Sequence, residues 1–189
     1  MRWQQLFDDL QSQFDAEEAA AERAESASRT RSEVGAVHLA ERLGGALGAP
    51  VTLDVRGAGR VAGVLLDRGP DWLLLADDQG REQLVALAAV RSVAGLGRRT
   101  AVAEPVDGVR ARLDLRRALR GLVRDRAAVQ VVLDDGGTVA GTMDRVGADY
   151  VEVAEHPVDV PRRGEAVQGV RAVVISAIAV VRTVSPALS

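Results

Sequence analysis

The chain contains a segment that occurs twice. Val51 to Ala76 reads VTLDVRGAGRVAGVLLDRGPDWLLLA, Val129 to Ala154 reads VQVVLDDGGTVAGTMDRVGADYVEVA, and the two align without a gap. Gly59 matches Gly137, the run Val61 to Gly63 matches Val139 to Gly141, Gly69 matches Gly147, Asp71 matches Asp149, and Trp72 stands opposite Tyr150. An internal repeat constrains architecture more than composition does, because each copy has to be one structural unit able to pack against its twin.

Each copy divides into strands at its glycines. Val51, Leu53 and Val55 alternate with polar residues, as do Val129, Val131 and Leu133, which is the period of a half-buried strand. Asp135-Gly136-Gly137, and Gly57-Ala58-Gly59 in the same place, supply the residues that a tight antiparallel hairpin requires. Gly63 and Gly141 then fall inside the second strand, where a glycine marks a bulge or sharp bend. A further turn at Gly69-Pro70-Asp71, or Gly147-Ala148-Asp149, leads to a third strand at Trp72 to Ala76 or Tyr150 to Ala154. Two more strands follow in each copy, at Gln83–Leu87 and Val90–Ala94, and at Val170–Ile175 and Ile178–Val184. Helices are expected at Leu39–Leu47 and Leu113–Arg126, one before each copy.

The expected fold is therefore mainly β with helices (α+β): an N-terminal helical region over 1–35, then two tandem five-stranded antiparallel barrels. The first, with its helix, occupies 36–97, a Gly- and Pro-containing linker 98–110, and the second barrel with its helix 111–189. The second copy carries a loop insertion over 156–169 that holds Arg162 and Arg163. Aromatic residues make up only 3% of the chain, so the cores have to be built from Val, Leu, Ile and Ala.

A helix followed by five strands, with V-x-V-x-L-x-D-G-G-x-V-x-G at Val129 to Gly141 and a later Asp149, resembles the first sequence motif of Sm-like proteins, the group that includes Hfq. The copy at Val51 matches it less closely, and SH3-like and PRC-type barrels stay open. The resemblance implies a small β-barrel, RNA binding and ring assembly. The base-recognising Asn that many Sm-like proteins place after the motif Asp is replaced here by Tyr150-Val151-Glu152, and the second family motif by Ile175-Ser176-Ala177-Ile178. The resemblance thus carries the fold further than the ligand.

Charge and chemistry narrow the function. The net charge of -3 does not draw phosphate backbones from a distance. Every basic residue is Arg, which reflects a GC-rich genome more readily than selection for phosphate. The chain has no cysteine, which excludes disulfides and thiolate metal sites. His38 and His156 read as ordinary surface histidines, and the pairs Asp77-Asp78 and Asp134-Asp135 as turn residues. No phosphate loop, zinc motif or dinucleotide fingerprint is present, so no enzyme activity and no cofactor are expected. Asp8 and Asp9 interrupt what a secretion signal would need, and a cytoplasmic protein with no membrane partner and no small-molecule substrate is the expectation.

Two patterns suggest partners. Trp3, Phe7, Leu10 and Phe14 are spaced four, three and four apart, a heptad seam that docks one helix face on the chain's own barrels, on a second copy or on a protein partner. Ala16 to Ser28, rich in Ala and Glu, reads as a solvated helix. In Leu113–Arg126, Leu115, Ala118, Leu119 and Leu122 share one face, while Arg116, Arg117, Arg120 and Arg124 gather on its flank. That stripe, extended by Arg98, Arg99, Arg162 and Arg163, could hold RNA phosphates, or it is a solvated face paired with the acidic N-terminal helix. The expected function is a non-enzymatic interaction or adaptor protein, with RNA binding as the alternative.

Overall fold

The computed structural model describes residues 11, 13, 17–26, 28, 34–101, 112–157 and 167–183. The chain divides into two compact units, Met1–Leu39 and Ala40–Ser189. In the first, residues 17–26 are helical and exposed throughout, as a solvated Ala- and Glu-rich helix should be.

The second unit holds ten strands. The first repeat supplies β1 (Pro50–Val55), β2 (Gly59–Arg68), β3 (Trp72–Ala76), β4 (Glu82–Ala86) and β5 (Val90–Ala94). The second supplies β6 (Ala128–Leu133), β7 (Thr138–Val146), β8 (Tyr150–Glu155), β9 (Gly169–Val174) and β10 (Ile178–Thr183). Helix α1 (Leu39–Gly44) precedes β1, and α2 (Leu115–Asp125) precedes β6.

Local structure follows from residue type. In β1 the alternating Val51, Leu53 and Val55 are buried while Asp54 is exposed. The turn before β7 is closed by the Asp135 carboxylate, which accepts from the Gly137 amide at 2.8 Å, with Gly136 in the left-handed region at φ 93°. The repeat glycines in β2 and β7 have a different role from the expected bend. The bulges lie further on, between Leu65 and Asp67 and between Met143 and Arg145. A Cβ at Gly63 or Gly141 would instead collide with the backbone carbonyl of Ala76 or Ala154. The glycines let neighbouring backbone come close.

The expectation of two closed five-stranded barrels is overturned. All ten strands form one open antiparallel sheet in the order β5-β1-β2-β3-β4-β10-β6-β7-β8-β9. Within each repeat a three-residue 3-10 turn, Leu87–Ala89 or Ile175–Ala177, carries the chain across the sheet end, so that β5 pairs with β1 and β10 with β6. These turns are held alike: Leu87 and Ile175 donate to the carbonyls of Asp71 and Asp149 at 2.9 and 2.8 Å. Closure of the first repeat would need β4 to pair with β5. That edge of β4 is taken by β10 of the second repeat, with Val85 opposite Val180, Leu84 opposite Val181 and Gln83 opposite Arg182. Buried residues from both repeats then form one core cluster.

Gly63→Ala and Gly141→Ala should each destabilise the fold by about 1–3 kcal/mol through this backbone collision. Gly121→Ala, in α2 with open space around it, should stabilise by up to about 1 kcal/mol through helix propensity. Urea midpoints of the three variants measure both effects, and equal midpoints would remove the close-approach explanation.

Candidate functional site

The joint between the repeats brings polar chemistry together on one side and anchors a helix on the other. The polar side is an open groove of about 440 Å³, lined by Arg60, Asp77, Arg81, Glu82 and Gln83 from the first repeat and by Gln130, Arg182 and Thr183 from the second. Arg182 Nε donates to Gln83 Oε1 at 3.1 Å, and Thr183 Oγ1 donates to the Glu82 carbonyl at 3.2 Å. Arg81 is held by Asp77, with Nη2 and Nε each 2.8 Å from Oδ2.

Asp77 also accepts from the backbone amides of Gln79 and Arg81, both at 2.9 Å. Burial pushes its carboxyl up, but the hydrogen bonds from the Arg81 amide, the Arg81 side chain and the Gln79 amide, with the Arg81 charge, hold it below the ordinary carboxylate value. The groove thus offers guanidinium donors to an anionic or carbonyl-rich group.

On the other side, α2 is tied to the first repeat. Asp114 caps the helix by accepting from the Arg117 amide at 2.9 Å. One residue on, the Leu115 amide donates to Asp71 Oδ1 at 2.7 Å, and Trp72 Nε1 donates to the Leu113 carbonyl at 2.6 Å. Asp71 and Trp72 therefore clasp the start of the other repeat's helix. Burial raises the Asp71 carboxyl above its ordinary value, the Leu115 amide opposes that, and the Asp114 charge adds to it. Leu115 and Leu119 are buried, and Ala118 and Leu122 line an apolar cavity of about 150 Å³ with Trp72, Leu74, Leu84 and Val181.

The predicted site residues fall in separate places. Arg117, Arg120 and Arg124 are exposed on α2 and Arg116 is half-buried. Arg116 donates to the Ala148 carbonyl at 3.3 Å, Arg117 to the Arg112 carbonyl at 3.2 Å, and Arg124 lies 3.5 Å from Asp125. Arg98 and Arg99 are exposed beyond β5. Trp3, Phe7, Leu10, Phe14, Arg162 and Arg163 lie outside the described residues.

His38 is exposed, but His156 is not the surface residue that was expected. It is only 3% exposed, and its Nε2 and Nδ1 each lie 2.8 Å from a partner, Thr142 Oγ1 and the Pro157 carbonyl respectively. A carbonyl only accepts, so Nδ1–H donates to Pro157, and the Thr142 hydroxyl, able to donate or accept, completes the pairing at Nε2. This pins the imidazole as a structural bridge. The sequence holds no signal for it, because the partners are fourteen residues apart. The clasp did leave a signal, since Asp71 and Trp72 are among the positions the repeat retains.

No family model matches the chain, and neither the curated proteins nor the solved structures contain a significant match.

Asp71→Ala should cost about 1–3 kcal/mol by stranding the Leu115 amide, whereas Asp71→Asn keeps an acceptor oxygen and should cost less. Because the folded-state pKa is raised, the contribution of Asp71 is fully present below the unfolded value of 3.8 and is lost as pH rises through the folded value. Denaturant titrations of wild type and Asp71→Asn across the acid range should differ by this slope, and parallel curves would refute it. Thr142→Val leaves the buried His156 Nε2 unpaired and should lower stability by about 1–3 kcal/mol in the same assay.

Proposed function

We propose that this protein is a non-enzymatic interaction protein, an adaptor whose sheet unit presents binding edges and whose N-terminal region docks a partner. The observation that carries this reading is the outer edge of the sheet. Strand β9 pairs only with β8 among the described residues, and it exposes Val170 and Val174 at 62% and 52%. An apolar edge with unpaired backbone groups is costly to leave in water and is a ready template for another polypeptide. The heptad seam of Trp3, Phe7, Leu10 and Phe14 supports the same reading from the sequence.

The test is capture of the tagged full-length chain from its native lysate, with and without nuclease. A defined, nuclease-resistant protein partner is expected, and replacing Trp3, Phe7 and Phe14 with Ala should weaken its capture at least tenfold. Recovery of RNA alone, removed by nuclease, would overturn the adaptor reading.

A second reading, RNA binding, is favoured by the exposure of Arg117, Arg120 and Arg124 along one helix and by the resemblance of Val129 to Gly141 to the Sm-like motif. On that reading, affinity falls steeply with salt, and replacing Arg116, Arg120 and Arg124 with Ala flattens the slope by about 1 per lost phosphate contact. Filter binding of single-stranded RNA at several salt concentrations decides it.

A further inference from the structure

The joint between the repeats carries side chains that neither repeat needs for its own fold. On β10, Arg182 stands opposite Gln83 of β4 and opposite Gln130 of β6, so the three share one face of the sheet in a Gln-Arg-Gln row that crosses both repeats. The register shows that this row is an addition to the repeat. Val93 lies opposite Leu53 as Val181 lies opposite Val131, so the first repeat's counterpart of Arg182 opposite Gln130 is Ala94 opposite Thr52. An Ala and a Thr satisfy the strand pair there, and the unit's fold makes no demand for a cation.

Hydrogen-bond roles fix what the row can offer. A guanidinium only donates, so the atom of Gln83 that meets Arg182 Nε at 3.1 Å is its oxygen, and the side-chain NH2 is left to donate elsewhere. Gln83 is only 8% exposed and lines the groove, and that NH2 has no acceptor among the described residues. Arg182 is half-buried, and its Nη1 and Nη2 groups likewise have neither an acceptor nor a carboxylate partner among the described residues. A cation partly withdrawn from water without a counterion is costly, and an anion in the groove offsets that cost.

The rest of the lining has the same sign. Arg60 on β2 is exposed and, although Asp54 is its cross-strand neighbour, it makes no ion pair or hydrogen bond among the described residues. The Asp77 carboxylate is already spent on Arg81 and on two turn amides. Glu82 is the other acidic residue at the groove, but strand alternation turns it from the face of Gln83 toward that of Leu84, with which it also lines the apolar cavity. Val61 and Ala62 add an apolar wall, and about 440 Å³ is the volume of a site for one small molecule.

We propose that this groove is a binding site for a small organic oxyanion, a carboxylate or a phosphate monoester. Arg182 presents its planar fork to the anionic oxygens, the Gln83 NH2 donates beside it, and Arg60 supplies a second free positive charge. Gln83 and Arg60 come from the first repeat, Arg182 and Gln130 from the second, so occupancy ties the repeats together across the β4 and β10 pair. The site goes beyond the adaptor reading and does not depend on it, since partner capture tests the one and ligand titration the other.

The test titrates the full-length protein by calorimetry with succinate and with glycerol 3-phosphate, each compared with sodium chloride of equal ionic strength and with glycerol. At least one of the two anions should bind saturably with a Kd of about 1 mM or tighter, and which one does so separates the carboxylate from the phosphate source. Arg60→Gln removes an exposed, unpartnered side chain, so it should weaken binding about tenfold while leaving the urea midpoint of the free protein unchanged. Arg182→Lys keeps the charge but loses the fork and should weaken binding likewise. Arg91→Gln changes an exposed residue of β5 outside the groove and should bind as wild type does. Added anion should raise the urea midpoint of wild type and of Arg91→Gln, and raise that of Arg60→Gln less at the same concentration. No saturable binding of either anion, wild-type affinity in Arg60→Gln, or an equal loss in Arg91→Gln would overturn the proposal.

Discussion

Pairing of β4 with β10 turns two five-stranded repeats into one sheet, and the remaining features of the second unit are arranged around it. Leu84, Val85, Val180 and Val181 are buried there, each contributing about 1.5–3 kcal/mol of apolar burial. The same contact brings Gln83 beside Arg182 and so creates the polar groove, and it sets Val181 beneath α2. A strand pair that satisfies two edges at once also leaves β5 and β9 with one neighbouring strand each among the described residues. The joint therefore determines both where the core runs and where the chain remains open.

The clasp adds a second, directional tie. Asp71 and Trp72 sit in the turn that opens β3, and they reach a carbonyl and an amide on either side of the α2 cap. These are groups that a helix start leaves without internal partners. Strand pairing alone tolerates sliding, whereas a carboxylate on one amide and an indole on one carbonyl do not. Asp71 accepts partial desolvation in return, which is why its carboxyl is raised.

Much of the local structure was legible in the chain, and the global arrangement was not. The third strand of the first repeat, Trp72 to Ala76, and the fifth, Val90 to Ala94, match the observed elements, because alternation and flanking turn residues act over a few positions. The helix face of Leu115, Ala118, Leu119 and Leu122 was readable for the same reason, since 3.6-residue periodicity is local. Barrel closure was misread because it depends on which strand takes the edge of β4, and Leu84 and Val85 look alike whether they face β5 or β10. The role of Gly63 and Gly141 was misplaced because a carbonyl approaching from β3 or β8 has no counterpart in the pattern of β2 or β7 itself. His156 was misjudged because the Thr142 hydroxyl that pairs its Nε2 stands fourteen residues away on β7.

One contact at the joint shows what fusing the two repeats into a single chain makes available. Arg56 Nη1 lies 3.5 Å from Asp134 Oδ2, and these residues occupy the same position in the two repeats. Being 46% and 37% exposed, the pair contributes at most about 1 kcal/mol. Its significance lies in its sign. Two separate, identical copies of one repeat meeting in this way would set Arg against Arg, or Asp against Asp. Once both copies are written in one gene, that position can diverge, and repulsion between twins becomes attraction between unlike halves.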